Sequence, residues 1–120
     1  MPHDFYCDQV LSGKTEVHVV RETERVLAFH HTRPTWEFHV VIIPKEHVRV
    51  LTDVDDDALL AELLKVAQEI IRKYRFNDSN YKLITNGGTH QSSQHLHFHL
   101  VSGRPIDITS PDQLGELQVT

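Results

Sequence analysis

The segment His95-Leu96-His97-Phe98-His99-Leu100-Val101 alternates imidazole with apolar side chains. A period of two belongs to a β-strand, whose successive side chains leave opposite faces. His95, His97 and His99 therefore share one face, each about 6.5–7 Å from the next. Leu96, Phe98 and Leu100 occupy the other face and need an apolar cover. The chain offers one in the stretch Leu59, Leu63, Ala67, Ile70, Ile71 and Tyr74, with Leu60 and Leu64 in the same stripe. Their three-to-four-residue spacing predicts a single long helix. Thr52 or Asp53 is its expected N-cap, with Asp55, Asp56 and Asp57 at the positive end of the helix dipole and Arg72, Lys73 and Arg75 at the other.

Further strands are read at residues 17–21, 26–30, 38–43 and 81–85. The run 38–43 is apolar and β-branched throughout, as in a central strand buried on both faces. Residues 4–12 read as a short helix stopped by Ser12-Gly13, and a polar surface tail runs from about residue 104. Hairpins with one long helix, and no repeated βαβ unit, give an α+β class with a mostly antiparallel sheet. A length of 120 residues makes residues 1–120 one domain.

Composition removes several functions. A formal charge of −5 with scattered Lys and Arg disfavours a protein that binds nucleic acid by neutralising phosphates. No apolar run approaches the roughly 20 residues of a membrane span. The opening Met1-Pro2-His3-Asp4 has no leader pattern, so a cytoplasmic location is expected. A single cysteine, Cys7, allows no internal disulfide and suits a reducing compartment.

Ten histidines are the unusual feature, and imidazole serves as nucleophile, acid, base or metal ligand. The alternating cluster has three readings: a half-exposed strand with no chemistry, a zinc or copper site, or a nucleophilic histidine with helpers at a phosphate site. The turn Asn86-Gly87-Gly88 and the loop Gln91-Ser92-Ser93-Gln94 run into the strand. Backbone N–H groups of such turns, with small hydroxyl and amide side chains, favour an anionic phosphate.

The same strand resembles the signature of the histidine-triad (HIT) nucleotide hydrolases and transferases. The resemblance extends to His39-Val40-Val41-Ile42-Ile43-Pro44-Lys45-Glu46-His47, to Leu27-Ala28-Phe29-His30, to Asn86 and to Gln91-Ser92, in register across about residues 4–104. It implies a five-stranded HIT-like sheet packed with one long helix and a short N-terminal helix, and a homodimer joined through sheets and helices. It also implies attack by His97 on the α-phosphorus of a purine nucleotide, such as a nucleoside 5′-phosphoramidate or similar AMP conjugate, through a nucleotidyl-histidine intermediate. In that scheme His99 bonds a phosphate oxygen and His95 orients the triad. Ser92 helps deliver a proton to the leaving group, and Asn86 and Gln91 serve the phosphate. Phe5, Tyr6 and Phe29 match the base pocket, His30 a sugar contact and His39 a histidine near the centre; core packing accounts for the aromatics equally well. No cofactor or metal is required. Other readings in the same frame are a non-catalytic nucleotide-sensing protein and a dinucleoside polyphosphate hydrolase.

Two departures stand out. His31 occupies the position where phosphoramidase members carry an acidic acceptor for the ribose hydroxyls, and His90 stands where a glycine is common. Some bacterial members also hold a structural zinc. The matching positions here are Asp4, Cys7, His47 and His95, with Asp4 replacing one thiolate, and no metal is assigned on that basis.

Overall fold

A computed structural model describes residues 6–106; Asp4, Phe5 and the residues from 107 onward lie outside the described residues. A π-helical turn, Tyr6–Leu11, precedes β1 (Val19–Glu22), β2 (Val26–His30) and β3 (Trp36–Pro44). The helix α1 (Asp57–Lys73), then β4 (Lys82–Thr85) and β5 (Phe98–Pro105), complete the order. The sheet runs β1-β2-β3-β5-β4, and every neighbouring pair is antiparallel. This is the expected α+β arrangement of five strands and one main helix. None of the described helices is long and apolar enough to cross a membrane.

Strand alternation divides the core in two. Val26, Ala28, Val40 and Ile42 join Leu96, Phe98 and Leu100 on one face, where Leu59, Leu63 and Ile70 of α1 cover them. Leu27, Phe29, Val41 and Ile43 point the other way and pack on Tyr6 and Val10 of the π-helical turn. The four residues Val40 to Ile43 are each no more than 1% exposed, which makes β3 the expected central strand. Each such side chain contributes roughly 1.5–3 kcal/mol through burial.

Three details differ from the sequence reading. The cap of α1 is Asp56, not Thr52 or Asp53; its carboxylate accepts from the N–H groups of Ala58 and Leu59 at 2.9 and 3.4 Å. Leu51–Asp53 forms a separate 3-10 turn, while Asp56 and Asp57 stand at the start of the helix as expected. The buried stripe takes in Val66 and leaves Leu64 49% exposed, because one sheet face covers only part of a helix's circumference. Finally, β5 starts at Phe98 and runs through Arg104 to Pro105, so His95 and His97 precede its ladder.

Candidate active site

His95 and His97 sit in extended chain leading into β5, and the backbone there is pinned from several sides. The Leu96 N–H donates to the Val48 carbonyl at 2.6 Å. The Thr85 hydroxyl donates to the His97 carbonyl at 2.9 Å. All three triad histidines are at most 3% exposed, and Leu96, Phe98 and Leu100 face the helix as the alternation requires.

Hydrogen-bond partners fix where each imidazole carries its proton. His97 Nδ1 lies 2.8 Å from the His95 carbonyl oxygen. A carbonyl only accepts, so Nδ1 is protonated and the neutral ring keeps its lone pair on Nε2, as a nucleophile requires. His99 has the opposite tautomer. The Thr35 N–H donates to His39 Nδ1 at 3.1 Å, which puts the His39 proton on Nε2. That proton faces His99 Nδ1 across 2.9 Å, leaving His99 with an N–H at Nε2. His99 Nε2 is buried and has no hydrogen-bond partner among the described residues. The rings of His97 and His99 are 5.0 Å apart and nearly perpendicular, at 84°.

His31 joins this group from the loop after β2. Its ring centroid lies 4.4 Å from that of His39 and 5.8 Å from that of His99. Its Nδ1 accepts the Arg33 N–H at 2.9 Å. Burial pushes the pKa values of His99, His39 and His31 down to about 2, about 3 and about 4, with neighbouring imidazoles adding to the effect. The cluster is therefore neutral at physiological pH, and its N–H groups are fixed donors.

The remaining candidates divide. Tyr6 is buried, with its ring 5.0 Å from His97, 5.8 Å from His95 and 6.1 Å from Phe29, so it roofs the triad together with Phe29. Phe5 lies outside the described residues. His30 is not brought to the triad. It follows Phe29 on a strand, so it leaves the opposite face and packs against Phe38 at 5.8 Å. Gln91 is buried but structural in its contact, its amide donating to the Arg49 carbonyl at 2.6 Å. Ser92 is exposed, whereas Ser93, which the sequence reading passed over, is buried with its hydroxyl unpartnered among the described residues. Asn86 Nδ2 is likewise buried without a partner among the described residues, as suits a donor kept for a ligand. Thr35 was also missed; no side-chain pattern identifies a residue that acts through its backbone N–H.

Two groups bring three possible metal ligands within 4.8 Å of one another: Cys7, His47 and His95, and His31, His39 and His99. Their surroundings differ. His95 Nε2–H donates to the Pro44 carbonyl at 2.8 Å, leaving Nδ1 to face Cys7 Sγ at 3.3 Å. His47 Nδ1 is 3.7 Å from the same sulfur. An imidazole whose far N–H is held by a carbonyl is the usual arrangement of a metal-ligating histidine, so the first group suits a structural zinc that would tie the π-helical turn to the triad. In the second group, backbone N–H groups occupy Nδ1 of both His31 and His39, so the nitrogens left over carry protons. That is the wrong tautomer for a ligand.

The HIT domain family model matches residues 12–106. An uncharacterized HIT-like protein of Helicobacter pylori is 30% identical over 98 residues, covering 80% of this chain and 93% of that protein. The adenosine 5′-monophosphoramidase HNT1 of Candida albicans is 29% identical over 127 residues, covering 91% and 83%. Among solved structures, a HIT family hydrolase from Legionella pneumophila superposes with a TM-score of 0.76 at 33% identity, covering 91% of this chain and 98% of that one.

Proposed function

We propose, for a chain that belongs to the HIT domain family, that it is a nucleotide hydrolase acting at the α-phosphate of purine nucleoside 5′-phosphoramidates or similar AMP conjugates. The observation that carries this reading is the pair of opposite tautomers at His97 and His99. One ring offers a lone pair and its neighbour an N–H, side by side and almost fully buried.

The chemistry follows from those protons. His97 Nε2 attacks the α-phosphorus, the bond to the leaving amine breaks, and the amine departs with a proton delivered through the serine loop, Ser92 in this reading. His99 Nε2–H and Asn86 Nδ2–H hold the non-bridging oxygens, whose charge grows in the transition state. His97 Nδ1–H, bonded to the His95 carbonyl, stabilises the positive charge that the ring acquires. Water then displaces the nucleotidyl group from His97 and releases the monophosphate. A zinc at Cys7, His47 and His95 would have a structural part, since its ligand His95 presents the far nitrogen to Pro44 and only its carbonyl to His97.

A homodimer belongs to the same reading. Leu64 of α1, Tyr74 at its C-terminal cap and Leu83 of the edge strand β4 are exposed apolar side chains on the surface that a partner would cover.

Turnover of a fluorogenic adenosine 5′-phosphoramidate, with EDTA present, tests the proposal. Cleavage that His97→Asn abolishes is the expected result. Absence of cleavage in the wild-type protein that still binds AMP would favour a sensing role instead.

A further inference from the structure

We propose that His31 and Arg33 recognise a second phosphoryl group on the substrate, beside the one held at His99. This rests on the nucleotide reading above and narrows it to substrates that carry two phosphoryl groups.

The loop between β2 and β3 is fixed before any ligand arrives. The His31 N–H donates to the His39 carbonyl at 2.9 Å, and the Ile106 N–H donates to the Thr35 carbonyl at 2.9 Å. His31 is half-buried, and its ring lies 28° from parallel with that of His99. Its Nδ1 is taken by the Arg33 N–H, so the neutral ring has its proton on Nε2 and can only donate there. A sugar hydroxyl offers such a group one weak acceptor, whereas a phosphoryl oxygen offers a charged one.

Arg33 supplies the matching charge. Arg21, Arg25 and Lys45 are all engaged with carboxylates: Glu69, the pair Glu46 and Asp56, and Glu22. The Arg33 side chain is exposed and has no ion pair or side-chain hydrogen bond among the described residues. Burial first, then His97 and the Arg33 cation, lower the affinity of the His31 ring for a proton. In a protein of net charge −5, a guanidinium with no carboxylate partner among the described residues, two residues along from a fixed N–H donor that stacks near His99, gives this loop the makings of a local anion site. The second phosphoryl group has two possible origins, further along the 5′ chain or on the ribose.

Calorimetric titration of the full chain with AMP, ADP and adenosine 3′,5′-bisphosphate at fixed ionic strength tests the inference and separates the two origins. One of the two-phosphoryl ligands is expected to bind about tenfold tighter than AMP, as a charge-assisted contact provides. His31→Asp is expected to erase that gain, bringing the tighter two-phosphoryl ligand to no more than the affinity of AMP for the same variant, and Arg33→Ala to reduce the gain and its salt dependence. An aspartate at residue 31 can still accept the Arg33 N–H in the manner of an Asx turn, so the loop is preserved, and circular dichroism verifies it. Equal affinity for all three ligands, or a gain that survives His31→Asp, overturns the inference alone. Failure to bind AMP at all overturns the nucleotide reading with it.

Discussion

His97 and His99 lie two residues apart and carry their protons on opposite nitrogens, the first because a carbonyl accepts from it, the second because His39 donates to it. The two rings, proposed as nucleophile and phosphate donor, are thus distinguished by their neighbours.

In the proposed reaction His39 acts through His99, to which it donates at 2.9 Å, and is a positioning residue. His39→Leu removes the donor that fixes His99 and is expected to lower kcat on the order of 10- to 100-fold with little change in KM. His39→Gln, whose amide can donate to His99 Nδ1, is expected to recover much of the loss. Steady-state kinetics of both variants on the phosphoramidate check this; equal loss in the two would assign His39 a packing role only.

Acid should destabilise the fold through the same cluster. His31, His39 and His99 have pKa values lowered from 6.5 to about 4, about 3 and about 2, chiefly by burial. As pH falls below about 6.5 the unfolded chain takes up protons that the folded chain refuses, so this contribution is complete above that pH and is lost progressively down to about 4, about 3 and about 2 for the three groups. The slope has an upper bound of about 1.4 kcal/mol per pH unit for each group. Urea midpoints at pH 7.5, 6 and 5 measure it, and His39→Gln is expected to flatten the curve.

Cobalt reports on the cluster of Cys7, His47 and His95. If these residues take a divalent ion, Co²⁺ gives a near-ultraviolet thiolate-to-metal band that Cys7→Ser abolishes, and Zn²⁺ raises Tm by linkage. A cobalt spectrum without sulfur character, unchanged by Cys7→Ser, would place the ion elsewhere.

The start of α1 provides a stability test. Asp56→Ala removes the cap and is expected to cost about 1 kcal/mol, while Asp56→Asn retains most of it. Thr52→Ala and Asp53→Ala should stay within about 0.5 kcal/mol. Denaturant unfolding of the four variants distinguishes the capping residue directly.

Much of this was readable in the chain, because periodicity reports which face a side chain takes. The alternation of residues 95–101 located the histidine face and its apolar reverse, and the spacing of Leu59, Leu63 and Ile70 located the helix that covers it. Alternation also bears on His30: next to Phe29 in a strand, it could not line the same pocket. The cap was misplaced because four aspartates and a threonine compete within six residues, and only backbone geometry selects among them. The contributions of Thr35 and Val48 were hidden because both act through the main chain, which every residue type supplies alike.

The bond from His97 Nδ1 to the His95 carbonyl has a consequence for sequence drift. A carbonyl oxygen is retained through every substitution, so no exchange of a neighbouring side chain can delete the acceptor that sets the His97 tautomer. Mutation reaches that tautomer only by bending the chain between residues 95 and 97, and Val48 and Thr85 hold that stretch at 2.6 and 2.9 Å. The lone pair on His97 Nε2 is thereby insulated from sequence change around it.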